Sequence, residues 1–218
     1  MGCDIHLFQE KKVDGKWVTA DKWSLDPERG IESEYVSYKD ALYSGRNYRL
    51  FSVLAGVRNG AGFAGVRTGD PVTPISQPRG VPDDCCVQCK AEVERWGRNA
   101  HSHSWLTLDD IVDYRWHRAI KRGVVPLDVW RRWKRDGVSN PETWAGGVSG
   151  RGIVIIPEAA AAALNPTFND DKTYVEAEWS TSLRDDCDEF MKAVTPRLQQ
   201  LEMECGRGNA RIVFFFDN

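Results

Sequence analysis

The chain has little that would tie it to a membrane or to nucleic acid as a whole. No run approaches the roughly 20 apolar residues that a bilayer span requires, which argues against a helical membrane protein. The opening MGCDIHLFQEKK lacks the basic start and long apolar stretch of a secretory signal. The expected setting is therefore the cytosol. Positive charge is in short supply: 29 Lys and Arg face 32 Asp and Glu, a formal net charge of −3, which disfavours a general nucleic-acid binder and leaves only local basic patches. Histidine is scarce at 4 residues, so any two that stand together carry weight. Six cysteines would suit three disulfides, but a cytosolic chain of 218 residues has no need of them. What is plentiful is tryptophan, with 9 residues whose rings serve core volume and base stacking alike.

Periodicity predicts an α+β fold. Residues 3–9 alternate Cys3, Ile5 and Leu7 against Asp4, His6 and Phe8, and the turn Val13-Asp14-Gly15 leads to a second strand at Lys16-Trp17-Val18, a hairpin. Val175, Ala177 and Trp179 share one face of a strand at 174–179, with Glu176 and Glu178 on the other. The spacing of Phe190, Val194, Leu198 and Leu201 predicts a helix over 184–205 that stops at Gly206. The apolar run 210–216 reads as a central strand buried on both faces. Further helices are expected over about 47–57, 84–96 and 127–135 and after Thr107, whose third position is Asp110, with a buried strand at 153–156 and a short helix at 159–164. The expected architecture is a single domain over 1–218: a mixed or antiparallel sheet including both terminal strands, packed with helices, with a loop-rich, helical and irregular insertion at about 58–150.

Five constellations bear chemistry. Asp4 and His6 lie at i and i+2 of a strand, on one face, as a metal pair or as a solvent-facing pair. His101-Ser102-His103-Ser104-Trp105 presents two imidazoles that suit zinc, manganese or iron, with Glu176, Glu178 or Asp217 as further oxygen donors, or serves only to cap the next helix. Cys85-Cys86-Val87-Gln88-Cys89 contains a C-x-x-C, and Cys86 and Cys89 with His101 and His103 resemble a Cys2His2 zinc site, although His-x-His is shorter than the usual spacing. Gly60-x-Gly62-x-x-Gly65 follows a helix, not a strand, so it is no dinucleotide fingerprint; it remains an anion-cradling or ligand-free loop flanked by Arg58 and Arg67. The Trp/Arg stretches at 115–122 and 130–135 read either as stacking surfaces or as helices with buried tryptophans and solvated arginines.

MGCDIH, the segment 45–58, the turn Pro78–Pro82, His101–Leu106 and the closing 211–218 together resemble a family of uncharacterised, phage-encoded proteins. The resemblance spans most of the chain and carries no activity with it; the cysteine cluster is not associated with that family. A phage origin implies host takeover or counter-defence. The resulting expectation is a nucleotide or cyclic-nucleotide messenger as ligand, with Asp4, His6, His101 and His103 around a divalent ion (Zn or Mn). In a metal-assisted phosphodiesterase-type hydrolysis, Asp4, His6 and His103 would be catalytic, and Arg46, Asn47, Tyr48, Arg58, Arg67 and Trp105 would hold the anionic ligand. The alternatives are a non-catalytic sponge for the same ligand and an inhibitor docking on a host protein.

Overall fold

A computed structural model describes residues 2–25 and 34–217. Met1 and Asn218, which end two of the segments quoted above, lie outside the described residues. In chain order the first elements are β1 (Ile5–Val13), β2 (Lys16–Thr19), β3 (Trp23–Leu25), β4 (Glu34–Val36), α1 (Tyr48–Ala55), α2 (Val87–Trp96), β5 (Ala100–Thr107) and α3 (Leu108–Asp113). They are followed by β6 (Arg118–Pro126), α4 (Leu127–Asp136), β7 (Val154–Pro157), α5 (Glu158–Ala163), β8 (Thr173–Ser182), α6 (Leu183–Asp186), α7 (Asp188–Cys205) and β9 (Ala210–Asp217). No helix among them is long and apolar enough to cross a membrane. The elements divide into two units, one of Met1–Val57, Thr73–Arg115 and Cys187–Asn218, the other of Arg58–Val72 and Trp116–Asp186.

The first unit is built on an antiparallel sheet ordered β2-β1-β9-β5, so both terminal strands belong to it and are neighbours. Asp14 and Gly15 both have positive φ, 49° and 77°, which is the twist a two-residue hairpin needs between Val13 and Lys16. The continuous apolar run of β9 follows from its central place: Ala210 through Phe216 are all buried because β1 and β5 flank it and both faces are covered. On one face Phe216 meets Phe51 of α1 with ring centroids 4.9 Å apart, and α7 packs over β1 and β9. On the other, α2 buries Cys85, Cys86 and Cys89 against Phe8, Val213 and Phe215. Local signals behave as their chemistry requires. Asn47 caps α1 by accepting from the Arg49 and Leu50 amides, and Thr107 with Asp110 forms a capping box on α3.

The second unit holds the sheet β6-β8-β7. Val175, Ala177 and Trp179 of β8 face a core completed by Trp130 and Trp133 of α4. Two elements depart from expectation. The strand near 153–156 is an edge strand, paired in parallel with β8 on one side only, which leaves Val154 and Ile155 48% and 46% exposed. The basic stretch around Arg118–Arg122 is part of β6, whose whole length pairs antiparallel with β8; its charges hide a strand period that only the partner reveals.

A half-buried carboxyl braces the edge of the first sheet. Asp21 accepts from the Gln9 amide and the Gln9 side-chain Nε2, both at 2.6 Å, while Gln9 Oε1 accepts from Arg197 Nε at 2.8 Å. Burial raises the Asp21 carboxyl from 3.8 to about 6, so the fold prefers its neutral form. Its contribution to stability is complete below the unfolded value and is lost as pH rises through the folded one. In urea titrations, the stability of the wild type relative to Asp21→Asn should fall by about 3 kcal/mol between about pH 3.5 and about pH 7.5. A difference that stays level across that range would mean that Asp21 titrates as it does in water.

Candidate metal centre

The site begins with two charges buried opposite one another. Glu10 of β1 and Arg211 of β9 are direct partners in the antiparallel ladder, with side chains 0% and 4% exposed. Arg211 Nε donates to Glu10 Oε2 at 2.7 Å, and its Nη2 reaches Asp84 Oδ1 at 2.9 Å. The guanidinium lies over Trp17 at 3.9 Å from the ring centroid and over Trp105 at 5.6 Å, so aromatic faces supply what water would otherwise give it. Burial pushes the Glu10 carboxyl up; its bonds to the Cys86 amide and Arg211 pull the other way.

The second half of the site comes from the start of α2. Cys86 is the N-cap residue, and its amide donates to Glu10 Oε1 at 2.6 Å, which ties the first turn of the helix to the sheet. That turn brings Cys89 round to the same side as Cys86, three positions on, with Cys85 just outside the helix. The result is one ligand atom each from Glu10, Cys85, Cys86 and Cys89, all within 4.8 Å of one another and all buried. A tetrahedral ion with sulfur ligands at about 2.3 Å sets its ligands about 3.8 Å apart, so the set fits such an ion with small side-chain adjustment. The three thiols also act on each other: Cys86 is driven down because the Cys85 and Cys89 S–H groups point at its sulfur, and those two are driven up in exchange. This is the group of three or more His, Cys, Asp or Glu side chains, among the described residues, that could hold a metal ion.

The four residues expected from the sequence to ligate an ion, Asp4, His6, His101 and His103, do not form such a set. Strand order is the reason. His6 is on β1 and His101 and His103 on β5, with β9 between them, so the backbones stand about 10 Å apart. The ring of Phe215 fills the interval, 4.8 Å from His6 and 5.4 Å from His103 between centroids. Phe216 lies beside His101 at 6.1 Å. Ser102, at φ 52°, marks the β-bulge between the two histidines. Asp4 is engaged elsewhere: Arg46 grips both its oxygens, at 2.6 and 2.5 Å, and holds its carboxyl below the usual range. His6 Nε2 instead meets Asp217 Oδ2 at 3.2 Å, so of the suggested extra oxygens Asp217 does reach an imidazole. Glu178 pairs with Arg122 in the second unit, where Glu176 also lies on β8. Burial, with the neighbouring His101 adding to it, lowers the His103 imidazole and keeps it neutral. The Nε2 atoms of His101 and His103 are buried and make no hydrogen bond.

The residues expected to hold an anionic ligand are spread out and largely committed. The Asn47 side chain is spent on capping α1, beside Tyr48, the first residue of that helix. Arg67 pairs with Asp70 at 3.0 Å, and Arg58 sits at φ 54°; both belong to the second unit. Trp105 carries Arg79 at 4.8 Å as well as Arg211, and Arg79 forks onto Asp110 at 2.7 and 2.8 Å. On α4, Arg132 pairs with Asp128 and Glu142, Lys134 with Glu158 and Arg135 with Asp136.

No family model, curated protein or solved structure matches this chain. The cysteine motif is legible in the sequence, where His101 and His103 were its expected companions; the structure brings Glu10 to it instead. The alternation that put Asp4, His6 and Phe8 on one face continues by one more step of two to Glu10, a signal hidden by the polar run Gln9-Glu10-Lys11-Lys12. Its ion-pair partner stands 201 positions away in sequence.

Removing one member of a buried pair strands the other charge. Arg211→Met should cost about 3–5 kcal/mol in chemical denaturation, most of which the double variant Glu10→Gln/Arg211→Met should recover. A loss for Arg211→Met within about 1 kcal/mol, the range of an exposed pair, would show that Glu10 finds other compensation.

Proposed function

We propose that this protein binds one thiophilic divalent metal ion, of the zinc class, on Cys85, Cys86, Cys89 and Glu10. The observation that supports this reading is the meeting of four potential ligand atoms, from segments more than seventy residues apart, inside a buried set within 4.8 Å. Thiolates favour zinc over manganese, and the carboxylate oxygen favours a borderline ion over a purely thiophilic one such as Cu(I). All four donors are buried, which is the mark of a closed, structural coordination sphere and not of one holding a place for substrate. The consequence is mechanical. The ion joins the first turn of α2 to β1 beside the Cys86–Glu10 bond, and so sets where α2 lies. At its far end α2 carries Trp96, whose ring rests 4.3 Å from that of His6. Glu10 is oriented for this by Arg211, a supporting partner of the kind that metal-binding carboxylates rely on.

Elemental analysis of protein purified under reducing conditions should give one zinc per chain. Cobalt substitution should produce the strong thiolate-to-metal absorption and visible bands of a tetrahedral sulfur-rich site. Cys89→Ser should lower affinity by at least 10-fold, with His6→Ala and His103→Ala leaving it unchanged. Metal retained in the Cys89 variant and lost in the histidine variants would move the centre to the imidazoles.

A further inference from the structure

Resting on the reading of Cys85, Cys86, Cys89 and Glu10 as a metal centre, we propose that the centre is redox-gated: oxidation of Cys86 and Cys89 to a disulfide expels the ion from a protein that stays folded. Three features of the geometry support it.

The first is the pairing. Cys86 and Cys89 are the N-cap and third residue of α2, and their sulfurs already lie within 4.8 Å. One helical turn also sets their Cα atoms within the separation that a disulfide spans. Cys85 is the immediate neighbour of Cys86, a spacing that a disulfide closes only with strain, so it is the thiol left over.

The second is what happens to Glu10 without an ion. Both its oxygens keep protein partners, the Cys86 amide and Arg211 Nε, so metal loss leaves no orphaned buried charge. Phe8, Val213, Phe215, Val93 and Trp96 continue to hold α2 on the sheet. This differs from small zinc domains, in which the ion is the core and its loss is unfolding.

The third is access. Cys85 and Cys86 retain 5% and 4% exposure where Cys89 has 0%, and Val87, beside them at the start of α2, is 78% exposed. The buried thiols are thus neighbours in sequence of a solvent-facing position at the start of α2, the side from which a small oxidant such as hydrogen peroxide would enter.

The step balances. Two metal-bound thiolates give up two electrons and form one S–S bond; the O–O bond of peroxide breaks, takes those electrons and two protons, and leaves as two waters. The divalent ion departs with its charge. A thiol reductant reverses the sulfur chemistry and restores the site.

The test uses the full chain carrying Cys205→Ser, which removes the one partly exposed thiol outside the centre. Metal content is measured first, under reducing conditions; protein that holds no zinc and takes none up overturns the metal reading and this proposal together, before any oxidant is added. Metal-loaded protein is then given one equivalent of peroxide beside a chromophoric chelator. The expected result is release of one ion per chain, a loss of two hydrogens from the tryptic peptide 80–90, and alkylation of Cys85 alone within that peptide. Far-ultraviolet circular dichroism should stay unchanged, and phosphine reductant should restore metal uptake. Zinc retained at that dose, or released with unfolding, with Cys85 in the bond or with sulfinic acid instead of a disulfide, overturns the gating proposal and leaves the metal centre standing.

Discussion

Glu10 and Arg211 constrain the first unit more tightly than any apolar contact in it. Each is an ion taken out of water at a cost of several kcal/mol, and the cost is recovered only if the two meet with good geometry. They meet because β1 and β9 pair in one register, Glu10 opposite Arg211. A slip of one residue would turn Arg211 to the face where Phe214 and Phe216 pack and would leave Glu10 alone among the cysteines. The apolar run of β9 is poorly suited to set that register by itself, since Val213, Phe214, Phe215 and Phe216 are apolar on both faces. The ion pair supplies the alignment that hydrophobic pattern cannot.

Much follows from that alignment. It sets His6 opposite Phe215, and with β5 on the far side of β9 it separates the imidazoles of His6 and His103 by an aromatic ring. It also turns a Glu10 oxygen towards the Cys86 amide, which fixes where α2 starts. The two faces of one sheet thus have different work. One carries Phe216, with Phe51 of α1 and the ring of His101 beside it, and the Gln9–Arg197 bond to α7; the other collects Cys85, Cys86 and Cys89, the buried ion pair, His6, His103 and Trp96.

The parts legible in the sequence are those governed by neighbours a few positions apart. The Asp14-Gly15 hairpin, the Asn47 cap, the Thr107/Asp110 capping box, the period of α7 and the alternation of β8 each rest on local chemistry, and both terminal strands were recognisable as sheet. The tryptophan surplus was ambiguous by nature: a Trp/Arg helix can offer rings to a ligand or bury them, and composition does not say which. In α4 the rings go inward. Trp133 and Trp144 each meet Trp179 nearly edge-on, at 5.9 and 5.2 Å. The cysteines of the candidate set stand out by their spacing, but the carboxylate that joins them could not be read because strand order and register decide it. The same Asp4, His6, His101 and His103 would converge if β1 and β5 were adjacent; with β9 interposed they do not, and no local spacing encodes that order.

Charge balance selects the kind of ion that the thiol set can hold. Three thiolates and Glu10 amount to four negative charges in a region where the protein contributes Arg211 and the positive end of α2, equivalent to about half a charge. These sum to about −2.5 before any ion is added; a monovalent ion would leave the buried assembly at about −1.5, a divalent ion at about −0.5. In a poorly screening interior that extra unit weighs heavily. Asp84, the second partner of Arg211, is 62% exposed, so its charge is shared with water and does little to deepen the deficit. The same arithmetic explains why the arginine must be buried with the cysteines and not left at the surface, where solvent would mask it.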